Sequence, residues 1–457
     1  MAIDTIDDLI VKAGDNHNHR QRETFNLIPS ENTPSNLVLE LSRLDSVGRY
    51  GEHRRNKAFG KSSKDVFFYQ GTDFIAKVEE AVQDFFRKYL GCSEADVRPI
   101  SGQQSNEIVF RAVMNYFNRF RKGEPQRIQS VMNHDLNYGG HLSAQQGMGS
   151  LGPFVRVDPL TGMAAAIPFP LDKNNPYQID VSRTQELMQQ YGPRLMIFGK
   201  SMVLEEEPVS ELSELAKELG TIIMGDRSHV MGLSKKPADI YTGSTHKTFF
   251  GTQRGIIASN MSEGTEYSAL WEKIVNATFP GSMSNHHLGT LVGLLGACFE
   301  WQEFGLDYRA QVTANAKAFA KALKEKGLKV EGDPSKGYTE THQVILNVGY
   351  AADGRLRGPE IAHILEKNNI ITNAQVLPYD AATSGSRGIR MGVQEMTRFG
   401  MKEGDFGQLA EFMADIIVRG LDRSKEISEY RKQFLEMQYC FPKQKETALK
   451  ERILQAA

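Results

Sequence analysis

RLMIFGKSMVLEEEPVSELSELAKELGTIIMGDRSH, residues 194–229, decides the fold. One short apolar run, LMIF, opens it and another, IIMG, closes it. Between them VSELSELAKELG carries its valine and leucines at helical spacing. A buried strand, an amphipathic helix and a second buried strand in that order make one repeat of a parallel α/β sheet. The pattern goes on through ADIYTGSTHK (238–247) and RGIIASN (254–260), two more apolar runs bounded by polar turns.

Upstream, DFIAKVEEAVQDFFRKYL (73–90) places Ile75, Val78, Val82, Phe85 and Tyr89 on one helical face, with Gly91 as its C-cap. ADVRPISG (95–102) has the sense of a strand or turn and leads into QQSNEIVFRAVMNYF, a second helix. After about Trp301 the pattern changes to a long helix over 308–327, a strand-like HQVILNVG (342–349) and further helices. The expected organisation is an N-terminal arm (1–33), a large α/β domain (34–303) and a smaller α+β domain (304–457).

Ligands of open α/β sheets sit beyond the carboxyl ends of the strands. Three polar groups stand at such ends: Ser101-Gly102-Gln103 opening a helix, Asp226 with His229, and Ser244 through Lys247. Free N–H groups at a helix start suit a phosphate, although many loop-to-helix junctions read Ser-Gly with no ligand. Asp226 alone reads most simply as a helix cap, and a lone lysine as a surface charge. Together they fit a planar cofactor held at three points: an amine at its aldehyde carbon, a carboxylate on its pyridine nitrogen and a turn on its phosphate. That is how proteins hold pyridoxal phosphate.

Composition narrows the rest. The 457 residues carry 54 Lys and Arg against 56 Asp and Glu, a formal net charge of −2, so no electrostatic ground exists for a nucleic-acid partner. Three scattered cysteines and no CxxC pair suggest neither a disulfide framework nor a cysteine zinc site. The acidic N-terminus lacks an apolar signal core and no apolar run is long enough to span a membrane. A cytoplasmic protein is expected. His286 and His287 find no third metal ligand at sensible spacing, so no metal is expected and both are assigned to a subunit interface. His17 and His19 read as solvated, and the basic run HRRNKAFGKSSK (53–64) as a solvated loop.

LIPSENTPS, RYGE, YQGTDFIAKVEE, RPISGQQSN, YGGHL, GDRSHVMGL, STHKT, ATFPGS and RGIRMGVQEMTRFGMKE follow one another along the chain. In their order and spacing the sequence resembles the serine (glycine) hydroxymethyltransferase family of fold-type I pyridoxal-phosphate enzymes over nearly its whole length. The resemblance implies a mostly parallel seven-stranded sheet and a homodimer or dimer of dimers with shared active sites. It makes Lys247 the Schiff-base lysine, Asp226 the partner of the pyridine nitrogen and His229 a hydrogen-bonding neighbour of the ring hydroxyl. Ser101, Gly102 and Gln103 would hold the phosphate, helped by Gly281 and Ser282 of a second subunit. Ser201, Ser244 and His246 would line the cofactor site. Arg390 and Ser30 would bind the substrate carboxylate, and Tyr50, Glu52 and Tyr69 would surround its hydroxyl. The chemistry agrees, because retro-aldol cleavage of Cα–Cβ needs the hydroxyl proton removed. Glu52, beside tyrosines in a partly dry site, could take it. An arginine fork such as that of Arg390 matches a carboxylate.

The chain departs from the family in places. Tyr138 stands where a histidine usually stacks on the ring, a role an aromatic ring can keep. The stretch 51–71 is longer and more basic than the family's glycine-proline turn. TFFGTQRG after Lys247 is one residue longer, so Arg254 aligns loosely, GSMSNHHLG (281–289) replaces a glycine-rich run, and ITNAQVLPYD (371–380) keeps little of the folate-side pattern. These changes gather where a one-carbon carrier or an aldehyde would sit, not around the pyridine ring. The expected reaction makes or breaks the Cα–Cβ bond of a β-hydroxy-α-amino acid. It is either hydroxymethyl transfer with tetrahydrofolate as carrier or, as in threonine transaldolases, folate-free transfer to another aldehyde. An α-methylserine hydroxymethyltransferase is a third relative of this kind. An inactive cofactor-binding protein would have lost the lysine, aspartate or arginine, and an aminotransferase finds no support around Glu52.

Overall fold

A computed structural model describes residues 3–56, 64–163, 165–234, 236–260, 267–354, 356–380 and 385–456. Most of the basic run 53–64 lies outside them. The chain groups into two compact units. One holds Thr33–Ser201, Glu206–Glu303 and Phe441–Ala457, the other Met1–Asn32, Met202–Glu205 and Phe304–Cys440.

The larger unit is built on a seven-stranded sheet. Its strands are β1 (Glu94–Asp96), β2 (Val131–Asn133), β3 (Ala166–Pro168), β4 (Leu195–Phe198), β5 (Ile222–Asp226), β6 (Ile240–Ser244) and β7 (Gly255–Ser259). Their order across the sheet is β1-β7-β6-β5-β4-β2-β3. From β3 to β6 every pairing is parallel, while β7 runs against both neighbours. The unbroken apolar runs of these strands follow from burial of both faces. Leu195, Ile197, Ile222 and Met224 enter one core with Ile108, Val109 and Val113 of helix Gly102–Phe117. The alternate residues Met196, Phe198 and Ile223 enter a second core with Val209, Leu212 and Ala216 of helix Val209–Glu218. Helix Asp73–Leu90 ends on Gly91 at φ 68°, a left-handed cap that glycine takes without strain.

Parallel pairing in register puts the carboxyl ends of β2, β4, β5 and β6 along one edge. Leu195 pairs with Ile222 and Asp226 with Thr242. The antiparallel return of β7 starts at that edge, with Gly255 opposite Ser244.

The smaller unit carries a four-stranded antiparallel sheet of β8 (Lys329–Val330), β9 (Gln343–Asn347), β10 (Asn373–Gln375) and β11 (Gly388–Gly392), ordered β8-β9-β11-β10. Helices Gly358–Lys367 and Glu403–Ile417 belong to the same unit and pack on each other. Phe25–Asn26 pairs in parallel with Ile370–Ile371, which fastens the N-terminal segment here. The long helix begins at Leu288, about twenty residues before the amphipathic stretch, because the residues before Phe304 are apolar on nearly every side and show no helical stripe. Among the described residues no helix is long and apolar enough to cross a membrane.

Candidate active site

Asp226 closes β5 and is buried. Four donors surround its carboxylate. His141 Nδ1 and Asn106 Nδ2 lie 2.5 and 2.6 Å from Oδ2, and the Ser228 N–H and Oγ–H lie 3.0 and 2.7 Å from Oδ1. Burial pushes this carboxyl up, but the His141 ring and the hydrogen bonds from Asn106 and Ser228 outweigh it and hold the group ionised, far below the usual range. The pattern of donors, not exposure, keeps the charge.

One strand over, β6 ends at Ser244 and runs on through His246 to Lys247. The loop behind them is closed by hydrogen bonds. Thr245 N–H donates to the Arg254 carbonyl at 3.1 Å and Gly251 N–H to the Thr245 carbonyl at 2.7 Å. Burial and the neighbouring Lys247 charge lower His246 to about 4, so its ring is neutral near pH 7. Thr248 Oγ1 donates to the carbonyls of Met231 and His229, at 2.6 and 3.3 Å, joining this loop to the one after β5. The His229 and His141 rings lie 5.5 Å apart.

Ser101 caps helix Gly102–Phe117, its hydroxyl accepting from Gln104 N–H at 3.1 Å. A Cβ at Gly102 would stand 2.5 Å from Ser244 Oγ and 2.7 Å from Ser228 Oγ. The helix start, the end of β6 and the loop after β5 therefore meet closely, and a side chain at Gly102 would have to displace both hydroxyls. Gln103 Nε2 donates to Ser150 Oγ at 3.3 Å. Gln104 Nε2 donates to the Ser282 carbonyl of the same chain at 3.3 Å, which sets Gly281 and Ser282 beside this turn. Ser201, beyond β4, donates through N–H to the Gly139 carbonyl at 2.8 Å and so abuts the short turn that ends on Tyr138.

Tyr69 Oη donates to Glu52 Oε2 at 3.3 Å, and the Tyr50 and Tyr69 rings are 5.2 Å apart. Both tyrosines are exposed in this chain, so the dry surroundings expected for Glu52 are not supplied by these rings here. Slight desolvation and then the charge and hydrogen bond of Glu52 push the Tyr69 hydroxyl up. In the smaller unit Ser30 is half-buried, and Arg390 on β11 is buried with Nε donating to Asn373 Oδ1 at 3.3 Å. Burial lowers this guanidinium to about 10, which leaves it charged near neutrality.

His286 needs a correction. Instead of lining a surface it is buried within the chain, and His53 and Glu79 converge on it, so a third potential ligand does exist. His287 is exposed. His141, Asn106 and Ser228, which define the charge state of Asp226, were not singled out by sequence reasoning. The only signal for His141 was its place in the YGGHL segment.

The arrangement passes a test for pyridoxal phosphate. A buried carboxylate fixed as an anion suits a protonated pyridine nitrogen, a neighbouring strand end offers an amine, and a glycine-tight helix start offers N–H groups to a phosphate. His141 Nε2, His246 Nδ1 and Ser282 Oγ are buried without a hydrogen-bond partner among the described residues, as the lining of a polar ligand's site would be.

A family model described as serine hydroxymethyltransferase matches residues 3–413. The serine hydroxymethyltransferase of Archaeoglobus fulgidus is 36% identical over 439 residues, covering 93% of this chain and 91% of that one. The enzyme of the same name from Pyrobaculum aerophilum is 35% identical, covering 93% of each. Among solved structures, L-threonine transaldolase from Pseudomonas fluorescens in its internal aldimine state superposes with a TM-score of 0.79 at 26% identity, covering 98% of this chain and 97% of that one.

Proposed function

The chain belongs to the serine hydroxymethyltransferase family, and we propose how its residues divide the work of that family's chemistry. It is a pyridoxal-phosphate-dependent transferase of fold type I that breaks and forms the Cα–Cβ bond of a β-hydroxy-α-amino acid. The cofactor, when bound, supplies an electron-withdrawing ring that takes up the electron pair left on Cα.

Lys247 holds the cofactor's aldehyde carbon through its amine. Asp226, ionised and positioned by His141, keeps a proton on the pyridine nitrogen, and this clasped carboxylate is the observation that carries the reading. His229, Ser201, Ser244 and His246 line the ring and Tyr138 covers it. Ser101, Gly102 and Gln103 take the phosphate. Arg390, a planar fork still charged near neutrality, binds the substrate carboxylate together with Ser30. Glu52 accepts the hydroxyl proton, with Tyr50 and Tyr69 orienting that hydroxyl.

The organisation proposed is an arm (1–33), a cofactor-binding domain (34–303) and a small domain (304–457), working in the cytoplasm as a homodimer or dimer of dimers. Exposure of Tyr50 and Tyr69 supports a second subunit that covers them, while Ser282 of the same chain already lies beside the phosphate turn. A folate-free transaldolase is the second reading, favoured by sequence changes concentrated on the acceptor side and by the fit to the transaldolase structure. Serine, threonine or glycine turnover, each with and without tetrahydrofolate or a trial aldehyde, separates the two. Serine turnover that requires folate establishes hydroxymethyl transfer. Acetaldehyde release from threonine that rises with added aldehyde establishes the transaldolase.

A further inference from the structure

His53, Glu79 and His286 converge in the interior of the larger unit. His53 Nε2 is 2.8 Å from Glu79 Oε1, and His286 Nε2 is 3.4 Å from Glu79 Oε2. Their side chains are 3% exposed or less. Two imidazoles and a carboxylate with ligand atoms within 4.8 Å of one another form a donor set that zinc accepts.

The far nitrogen of His286 argues against a metal. Arg254 Nη2 lies 2.9 Å from His286 Nδ1, and a guanidinium has only N–H groups to offer, so Nδ1 presents its lone pair. The ring proton is then on Nε2, the atom that would have to ligate, and it faces Glu79 Oε2 at 3.4 Å, a charge contact longer than a formed hydrogen bond. Metal-bound histidines have the opposite arrangement, with the far nitrogen donating to a carbonyl or carboxylate.

We infer that Glu79 is a positioning residue for the reaction: one oxygen fixes the hairpin of Glu52 through His53, and the other fixes the loop of Lys247 through His286 and Arg254. The inference rests on the roles proposed above for Glu52 and Lys247. On the first side, His53 pairs with Phe67 across the hairpin, the rings 4.6 Å apart, and the Glu52 carbonyl accepts from Phe68 N–H at 3.0 Å. Successive side chains in extended chain point to opposite faces, so sinking His53 turns Glu52 outward to Tyr69. On the second side, the Arg254 guanidinium donates to the carbonyls of Val97 and His287 at 2.8 and 2.7 Å. The Arg254 carbonyl receives Thr245 N–H, two residues before Lys247. Burial raises the Glu79 carboxyl, yet the two imidazoles hold it well below its ordinary range.

The test uses cofactor-loaded enzyme carrying Glu79→Gln, His53→Phe, His53→Gln or Glu52→Gln. Glu79→Gln and His53→Phe are expected to keep the cofactor's visible absorbance and lower kcat for β-hydroxy amino acid cleavage about tenfold, with a smaller change in KM. His53→Gln, whose amide N–H can stand in for Nε2–H, is expected to recover most of kcat. A lowered melting temperature with unchanged kcat in Glu79→Gln and His53→Phe would reduce the cluster to a structural strut and overturn the inference. Stoichiometric metal in the purified enzyme, with kcat lost on chelation, would overturn it as well. If Glu52→Gln abolishes cleavage while Glu79→Gln behaves as wild type, only this inference fails. If Glu52→Gln cleaves normally, the role of Glu52 fails first. Should Glu79→Gln not fold, the two His53 variants carry the comparison.

Discussion

His141 Nδ1 stands 2.5 Å from Asp226 Oδ2, so the carboxylate at the end of β5 is governed by a ring 85 positions earlier in the chain. With Nδ1 committed to the carboxylate, the ring's other nitrogen faces a buried space with no partner of its own. The pair can thus serve a ligand on two sides, the anion directly and the imidazole through Nε2.

Removing that ring should show it. In His141→Phe, Asp226 stays buried and ionised with one of its donors gone, and leaving a buried charged group short of a hydrogen bond costs roughly 1–3 kcal/mol or more. Chemical denaturation of the apoenzyme should report a loss of this order, and titration with pyridoxal phosphate a weaker dissociation constant.

Asp226 itself should be silent in ordinary pH profiles. Its folded pKa is depressed, so the stability it confers is complete above the unfolded value of about 3.9 and is lost only as pH falls through the much lower folded value. Between pH 5 and 9, roughly, cofactor retention in the wild type should show no step from this group, and Asp226→Asn should lose cofactor affinity equally across that window.

His246 should behave oppositely. Its folded pKa of about 4 lies below its ordinary 6.5, so the unfolded chain binds the proton more readily. Stability therefore falls as pH drops from about 6.5 towards 4. Replacing the ring in His246→Leu should flatten the apoenzyme's melting temperature over that interval.

Gly102→Ala tests the close meeting of helix and strand. Its added methyl would stand 2.5 Å from Ser244 Oγ and 2.7 Å from Ser228 Oγ, so both hydroxyls must turn away and Ser228 gives up its bond to Asp226, a loss of about 1 kcal/mol. A lowered melting temperature together with faster cofactor loss on dialysis is the expected result.

Arg390→Lys keeps the charge but removes the planar fork. KM for the amino acid should rise about tenfold or more, with the cofactor's absorbance unchanged.

Much of this was legible in the residues themselves. The runs LMIF and IIMG became β4 and β5 because a strand covered on both faces has no polar side to show. Helix Asp73–Leu90 and its Gly91 cap follow from periodicity and from glycine's access to positive φ. Asp226 and Ser244 end strands, and Lys247 follows the second, as their punctuation suggests. The clasp of His141 and Asn106 on Asp226 was not readable, since it depends on which strand ends the sheet order brings together. The same holds for His53 and His286, whose common partner Glu79 lies on a helix between them in sequence. In that case reading neighbours along the chain points to a subunit-interface histidine, and packing makes it an interior one.

The loop from Thr245 to Arg254 is tied at both ends by the return of β7. Between those ties Phe249 and Phe250 are fully buried, with the Phe249 ring 4.7 Å from that of Trp301, so Lys247 rides on a loop anchored in the core as well as at its ends. Such a loop behaves like a mooring, and a change between its two knots is felt by the core before it reaches Lys247.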